Sequence, residues 1–181
     1  MTARANLAIA PIDPQRDAPL LHQWLTHPRS VYWEMQDATV EDVEAQFQRI
    51  NDDPHHHARL GFVDGRPEFI VETYNPRYRE LVGVPEIEDG DLGMHVLVAP
   101  PAHPRPGFTR EVFRAVMQHC FADPAVARVV VEPDIRNLRI ARLNKEAGFT
   151  IVRQIEMPTK TSALSFCTRD AFADSPLGAH R

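Results

Sequence analysis

Disulfides, membrane spans and nucleic-acid recognition are all poorly provided for in this sequence. Its 181 residues hold only 2 cysteines. Cys120 and Cys167 are widely separated and suggest no disulfide framework. No apolar run is long enough to cross a bilayer, and no series of signal-peptide form opens the chain, so a cytoplasmic location is the expectation. Acidic residues outnumber basic ones by 25 to 20. Neither nucleic acid nor an anionic membrane is attracted by such a chain as a whole, although a local basic pocket around a phosphorylated molecule is still allowed. Repeats and low-complexity segments are also missing. The remaining composition, 43% hydrophobic and 25% charged, is ordinary for a globular protein with its own core. A single domain over residues 1–181 is expected, monomeric or homodimeric, with 1–6 and 170–181 as flexible tails.

Leu7–Ile12 reads as a short strand, and Asp17 as the cap of a helix from Ala18 to Thr26 with Leu20, Leu21, Trp24 and Leu25 on one apolar face. The aromatic segment Val31–Met35 precedes a second helix that runs to Ile50 and opens with Thr39 and, three places on, Asp42, an approximate capping box. His55, His56 and His57 fall in a loop. Consecutive side chains on an extended chain point alternately away from each other, so no metal centre is expected there. Asp64-Gly65 between Arg59–Val63 and Glu68–Tyr74 signals a hairpin. The irregular stretch Thr73–Glu88 is expected as a long loop with a binding role. Thr150–Glu156 and Ser162–Thr168 read as the last two strands.

Between these parts, Asp89 to Phe149 alternates strand, helix, strand, helix. Two strands joined through a helix form a right-handed parallel crossover, and ligands gather at the carboxyl ends of such strands. Chemistry is therefore expected near the loops after Ala99 and Val131. The first of these, Pro101 to Thr109, delivers the chain into a helix N-terminus, where unpaired N–H groups favour an anion, with Arg105 and Arg110 adding positive charge. In the first strand His95 shares a face with Gly93 and Leu97, opposite Met94, Val96 and Val98, which are expected to pack on the core. The second strand, through Val129-Val130-Val131, carries Glu132 and Asp134 to its end, where an acid can orient the imidazole. Asp134 can equally cap the helix that follows.

This series, with Arg105 and Gly107 entering a helix, Asn137 after the second strand and Gly148-Phe149 closing the unit, resembles the acyl-CoA-binding core of the GNAT superfamily of N-acyltransferases. Gly90–Pro100 and Val131–Asn137 are similar to the branch that acylates hydroxylated amines in hydroxamate siderophore biosynthesis, which includes aerobactin-type hydroxylysine acetyltransferases, the mycobactin lysine acyltransferase and the desferrioxamine acyltransferases. The likeness extends from about Leu21 to Leu164. It implies an α/β fold with a mixed central sheet flanked by helices, acetyl-CoA or succinyl-CoA as acyl donor, and an N-hydroxylated lysine or diamine as acceptor. It also implies donor contacts at Leu97, Val98, Arg105, Gly107, Phe108, Thr109, Arg110 and Asn137. A backbone N–H near Leu97 or Val98 would polarise the thioester carbonyl. Trp24, Trp33, Glu72 and Tyr74 would lie near the acceptor. His95 would act as general base, with Asp134 either holding it or binding the acceptor.

Two departures bear on this reading. Only Gly107 is glycine in the phosphate loop, with Thr109 at the second small position, and Pro104 and Pro106 donate no amide. Asn144 stands where many GNAT enzymes have a proton-donating tyrosine. Two other readings stay open: an acetyltransferase of an ordinary primary amine, such as an antibiotic or a protein N-terminus, and a non-catalytic acyl-CoA-binding module.

Overall fold

The structure is a computed structural model that describes residues 6–103 and 105–179. Pro104 and the ends of both expected tails, 1–5 and 180–181, lie outside the described residues. Among the described residues seven strands form one mixed sheet in the order β1-β2-β3-β4-β5-β7-β6. They are β1 (Leu7–Pro11), β2 (His56–Val63), β3 (Arg66–Tyr74), β4 (Asp91–Val98), β5 (Arg128–Val131), β6 (Thr150–Glu156) and β7 (Thr161–Thr168). The helices are α1 (Pro14–Leu25), α2 (Val40–Asp52), α3 (Phe108–Cys120), α4 (Leu138–Glu146) and α5 (Arg169–Ala173), with a 3-10 turn at Pro28–Trp33. The expected mixed sheet with a parallel pair is present. β4 runs parallel to β5, whereas β1–β2, β5–β7 and β6–β7 are antiparallel.

The chain divides into two compact units. The first comprises the residues up to Glu72 together with Val96–Pro106. Its core joins Leu21, Trp24 and Leu25 of α1 to Val43, Phe47 and Ile50 of α2 and to Leu60, Ile70 and Leu97. Helix α1 starts earlier than expected because Asp13, not Asp17, is its cap. Asp13 accepts the N–H of Arg16, Pro14 fills the first helical position, where no N–H is needed, and Asp17 accepts the N–H of Asp13. The capping box at Thr39 and Asp42 is complete. Asn6, assigned to the N-terminal tail, exchanges backbone and side-chain hydrogen bonds with Asp64 of the β2–β3 turn. β2 begins at His56, so that residue lies in a strand and not in the expected loop.

The second unit comprises Thr73–His95 and Gly107–Arg181. Val129, Val130 and Val131 of β5 are all buried, as suits a strand covered on both faces. Helix α3 buries Val112, Phe113, Val116, Met117 and Cys120, one amphipathic stripe. The segment after β3 is not a bare loop. Leu81, Val84 and Ile87 fill a second core with Val130, Ile155, Leu164 and Phe166. Arg128 ties that segment down through two 2.7 Å bonds to Asp91 and one to the Glu86 carbonyl, with its guanidinium 4.3 Å from the Phe166 ring centre. The C-terminal stretch is likewise no frayed tail. Arg169–Ala173 is helical, Phe172 and Leu177 are buried, and Phe172 stacks on Phe121. Single apolar residues in a polar segment carry no periodicity, which is why the sequence pattern missed them.

Candidate functional site

The parallel ladder aligns Asp91 with Arg128, Leu92 with Val129 and Gly93 with Val130. Two residues beyond that last pair, His95 and Glu132 occupy equivalent places on the same face, and His95 Nε2 lies 2.6 Å from Glu132 Oε1. Tyr74 Oη donates to Glu132 Oε2 at 2.9 Å, and the Tyr74 and His95 rings are tilted against each other with centres 5.2 Å apart. Lys160 Nζ donates to the Glu132 carbonyl at 2.8 Å and stands 3.8 Å from Oε1. The Glu132 side chain is 1% exposed and that of His95 29%. Burial alone would raise the carboxyl's pKa, but the charges of His95 and Lys160 and the Tyr74 hydroxyl outweigh it and hold the group at about 2.

Asp134 therefore is not the acid placed on His95 Nε2. Its oxygens accept the Arg136 N–H at 2.8 Å and the Arg136 guanidinium at 2.6 to 3.1 Å, interactions that bring its pKa to about 2. Both acids follow the same strand, and alternation alone puts both on one face. The choice between them depends on how far β4 and β5 slide along each other. That register could have been inferred only by pairing Gly93 with Val130.

Most of the expected acceptor contacts have structural partners. Trp24 is buried in the first unit's core, and Trp33 packs partly buried on that core at the end of the 3-10 turn. Glu72 is buried and accepts from His56 at 3.1 Å. Tyr74, also buried, serves the carboxylate that holds His95. Within β4 the expected apolar face is only partly realised, since Met94 is buried but Val96 and Val98 are half-buried, while Leu97, on the His95 face, is buried. No group of three or more His, Cys, Asp or Glu side chains among the described residues is arranged to hold a metal ion.

The donor loop ends at Gly107, which has φ 81° and open space where a β-carbon would stand. Helix α3 has no side-chain cap on Gly107, whereas α1, α2, α4 and α5 are each capped by a side chain. With no side chain on Gly107 to cap it, the start of α3 at Phe108, Thr109 and Arg110 is the kind of helix N-terminus that favours an anion. The two expected cations are already engaged: Arg105 by Glu68 at 2.6 and 3.1 Å, and Arg110 by Glu146 at 3.1 Å. Asn137 accepts the Ile140 N–H and caps α4. Asn144 is buried, with its side-chain oxygen lacking a hydrogen-bond partner among the described residues.

A family model described as an acetyltransferase (GNAT) domain matches residues 13–157. The N(5)-hydroxyornithine:cis-anhydromevalonyl coenzyme A-N(5)-transacylase of Beauveria bassiana is 30% identical over 162 residues, covering 88% of this chain and 36% of that protein. The N(6)-hydroxylysine O-acetyltransferase of Escherichia coli is 25% identical over 170 residues, covering 93% of this chain and 54% of its own length. The chain thus spans about a third to a half of these curated relatives. Among solved structures, the aminoglycoside acetyltransferase AAC(6')-Ib in complex with ribostamycin and coenzyme A superposes with a TM-score of 0.81 at 22% identity, covering 93% of this chain and 97% of the other. That likeness is one of fold.

Proposed function

Because this chain belongs to the GNAT acetyltransferase domain family, we propose that it transfers an acyl group from acyl-CoA to the nitrogen of an N-hydroxylated amine, an N-hydroxylysine or N-hydroxydiamine, giving a hydroxamate in siderophore biosynthesis. The observation that carries this reading is the half-exposed His95 bonded to an ionised, buried Glu132. A hydroxylamine nitrogen is largely neutral near pH 7, so its acylation needs a base of moderate strength and no group able to strip an ammonium. A histidine backed by a carboxylate has that strength. The names of the two relatives, each specifying a hydroxylated amino acid, support the acceptor class.

Acetyl-CoA or succinyl-CoA would supply the activated acyl group, its pyrophosphate held by the amides of Phe108, Thr109 and Arg110 beyond Gly107. His95 takes the proton that the nitrogen loses as the new C–N bond forms, and the same imidazolium can return a proton to the departing sulfur. Asp134, ionised and 5% exposed behind the exposed Arg136, is the remaining acid after β5, and with Arg136 it is assigned to the acceptor's hydroxyl or its second amine.

Thiol release from acetyl-CoA and succinyl-CoA, measured with N-hydroxylysine, N-hydroxydiamines and their unhydroxylated parents, tests the reading. Faster release with the hydroxylated amines and a ferric-hydroxamate colour in the product are expected. Equal or better rates on the parent amines would sink it in favour of an ordinary amine acetyltransferase, and donor binding without turnover on any amine would point to a non-catalytic module.

A further inference from the structure

Glu132 has two carboxylate oxygens and each has its own donor, His95 Nε2 on Oε1 and Tyr74 Oη on Oε2. An ionised carboxylate only accepts, so the His95 nitrogen facing it must carry the hydrogen, and the neutral imidazole keeps its lone pair on Nδ1. Glu132 and Tyr74 are buried, which keeps water from competing for the carboxylate. Tyr74 reaches it across the strand because position 93 is glycine. A β-carbon there would fall inside the tyrosine ring. Lys160 fixes the backbone of Glu132 by taking its carbonyl, just past the last β4–β5 pair. Position and tautomer of the imidazole are set from behind by Glu132 and Tyr74, both buried.

We propose that Glu132, braced by Tyr74, is the positioning residue of His95, fixing the Nε2–H tautomer so that Nδ1 is the atom that accepts the substrate's proton. This rests on the reading of His95 as the base. It gives to Glu132 the orienting role for which Asp134 was the other candidate, and leaves Asp134 and its Arg136 partner to the acceptor.

Nitrogen-15 NMR of histidine-labelled protein, with His95 assigned by its absence in His95→Ala, tests the proposal without any substrate. In the wild type the neutral His95 ring should show a protonated Nε2 and a pyridine-like Nδ1. In Glu132→Gln its titration should move about 1–3 pH units lower, the effect of removing an opposite charge at hydrogen-bond distance. Glu132→Asp, which keeps the charge, should recover part of that shift. Where turnover is measurable, the acid limb of the kcat/KM profile should follow the NMR titration through all three proteins. A wild-type ring protonated on Nδ1, or an unmoved His95 titration in a folded Glu132→Gln protein, overturns the proposal. If both Glu132 variants fail to fold, the wild-type tautomer alone decides. The expected tautomer and titration without turnover on any hydroxylated amine would uphold Glu132 as the positioning residue and refute the proposed acceptor.

Discussion

Each of the two units contains a histidine bonded to a glutamate and a strand glycine lying under an aromatic ring, and the two versions are put to different use. In the first unit His56 meets Glu72 with both side chains nearly sealed, 4% and 8% exposed, and Phe69 covers Gly61 with a ring that carries no polar atom. In the second unit His95 meets Glu132 with the acid sealed and the histidine 29% exposed, and the ring over Gly93 belongs to Tyr74, whose hydroxyl is bonded to the acid. A pair buried on both sides has no route to a substrate. A pair buried on one side presents a base whose partner is shielded. The difference in exposure, not the residue types, separates a packing device from a candidate for chemistry.

The largest effect expected from breaking this comparison is on turnover. His95→Ala should lower kcat by roughly 100- to 10,000-fold, the usual worth of a positioned general base, with little loss of stability because Tyr74 and Lys160 still contact Glu132. His56→Ala should do the reverse. It leaves a buried carboxylate without its histidine and costs about 3–5 kcal/mol in urea unfolding, while the folded fraction keeps its kcat. Equal kcat losses in the two variants would erase the distinction drawn from exposure.

The glycines sharpen the comparison on a smaller scale. Gly61→Ala and Gly93→Ala each force a ring aside and should each cost about 1–3 kcal/mol by overpacking. Only Gly93→Ala should also reduce kcat, about tenfold or more, because the ring it displaces braces the histidine's partner. Parallel melting curves and rates for the two proteins would show whether that asymmetry exists.

A further expected effect concerns pH. The Glu132 carboxyl has a pKa of about 2 in the folded protein against an ordinary 4.5, so the stability it contributes is fully present above about pH 4.5 and is lost as pH falls toward about 2. Urea midpoints measured across that window should fall less steeply for Glu132→Gln than for the wild type. Identical slopes would mean that the folded protein does not favour the ionised form of Glu132.

Much of the fold was legible because its signals are local. Asp-Gly at the hairpin turn, the apolar run of β5, the Thr39–Asp42 box and the stripe on α3 each specify their element from a few neighbouring residues. His95 stood out for the same reason, a polar side chain in an apolar strand. What escaped depends on distant parts of the chain. Tyr74 reads as half of a hairpin until the sheet brings it over Gly93, and Glu132 and Asp134 are equivalent by alternation until register separates them. Trp24 packs in the first unit's core and Glu72 is paired with His56, partners that lie elsewhere in the sequence and that no local pattern announces.

The knot that Arg128 ties around Asp91 and the Glu86 carbonyl has a practical consequence for redesign. The segment between β3 and β4 cannot be exchanged as a cassette, because Leu81, Val84 and Ile87 travel with it and are part of a core. A graft that keeps those three residues and Glu86 retains its anchor, and freedom to vary lies around Val82, whose side chain faces outward.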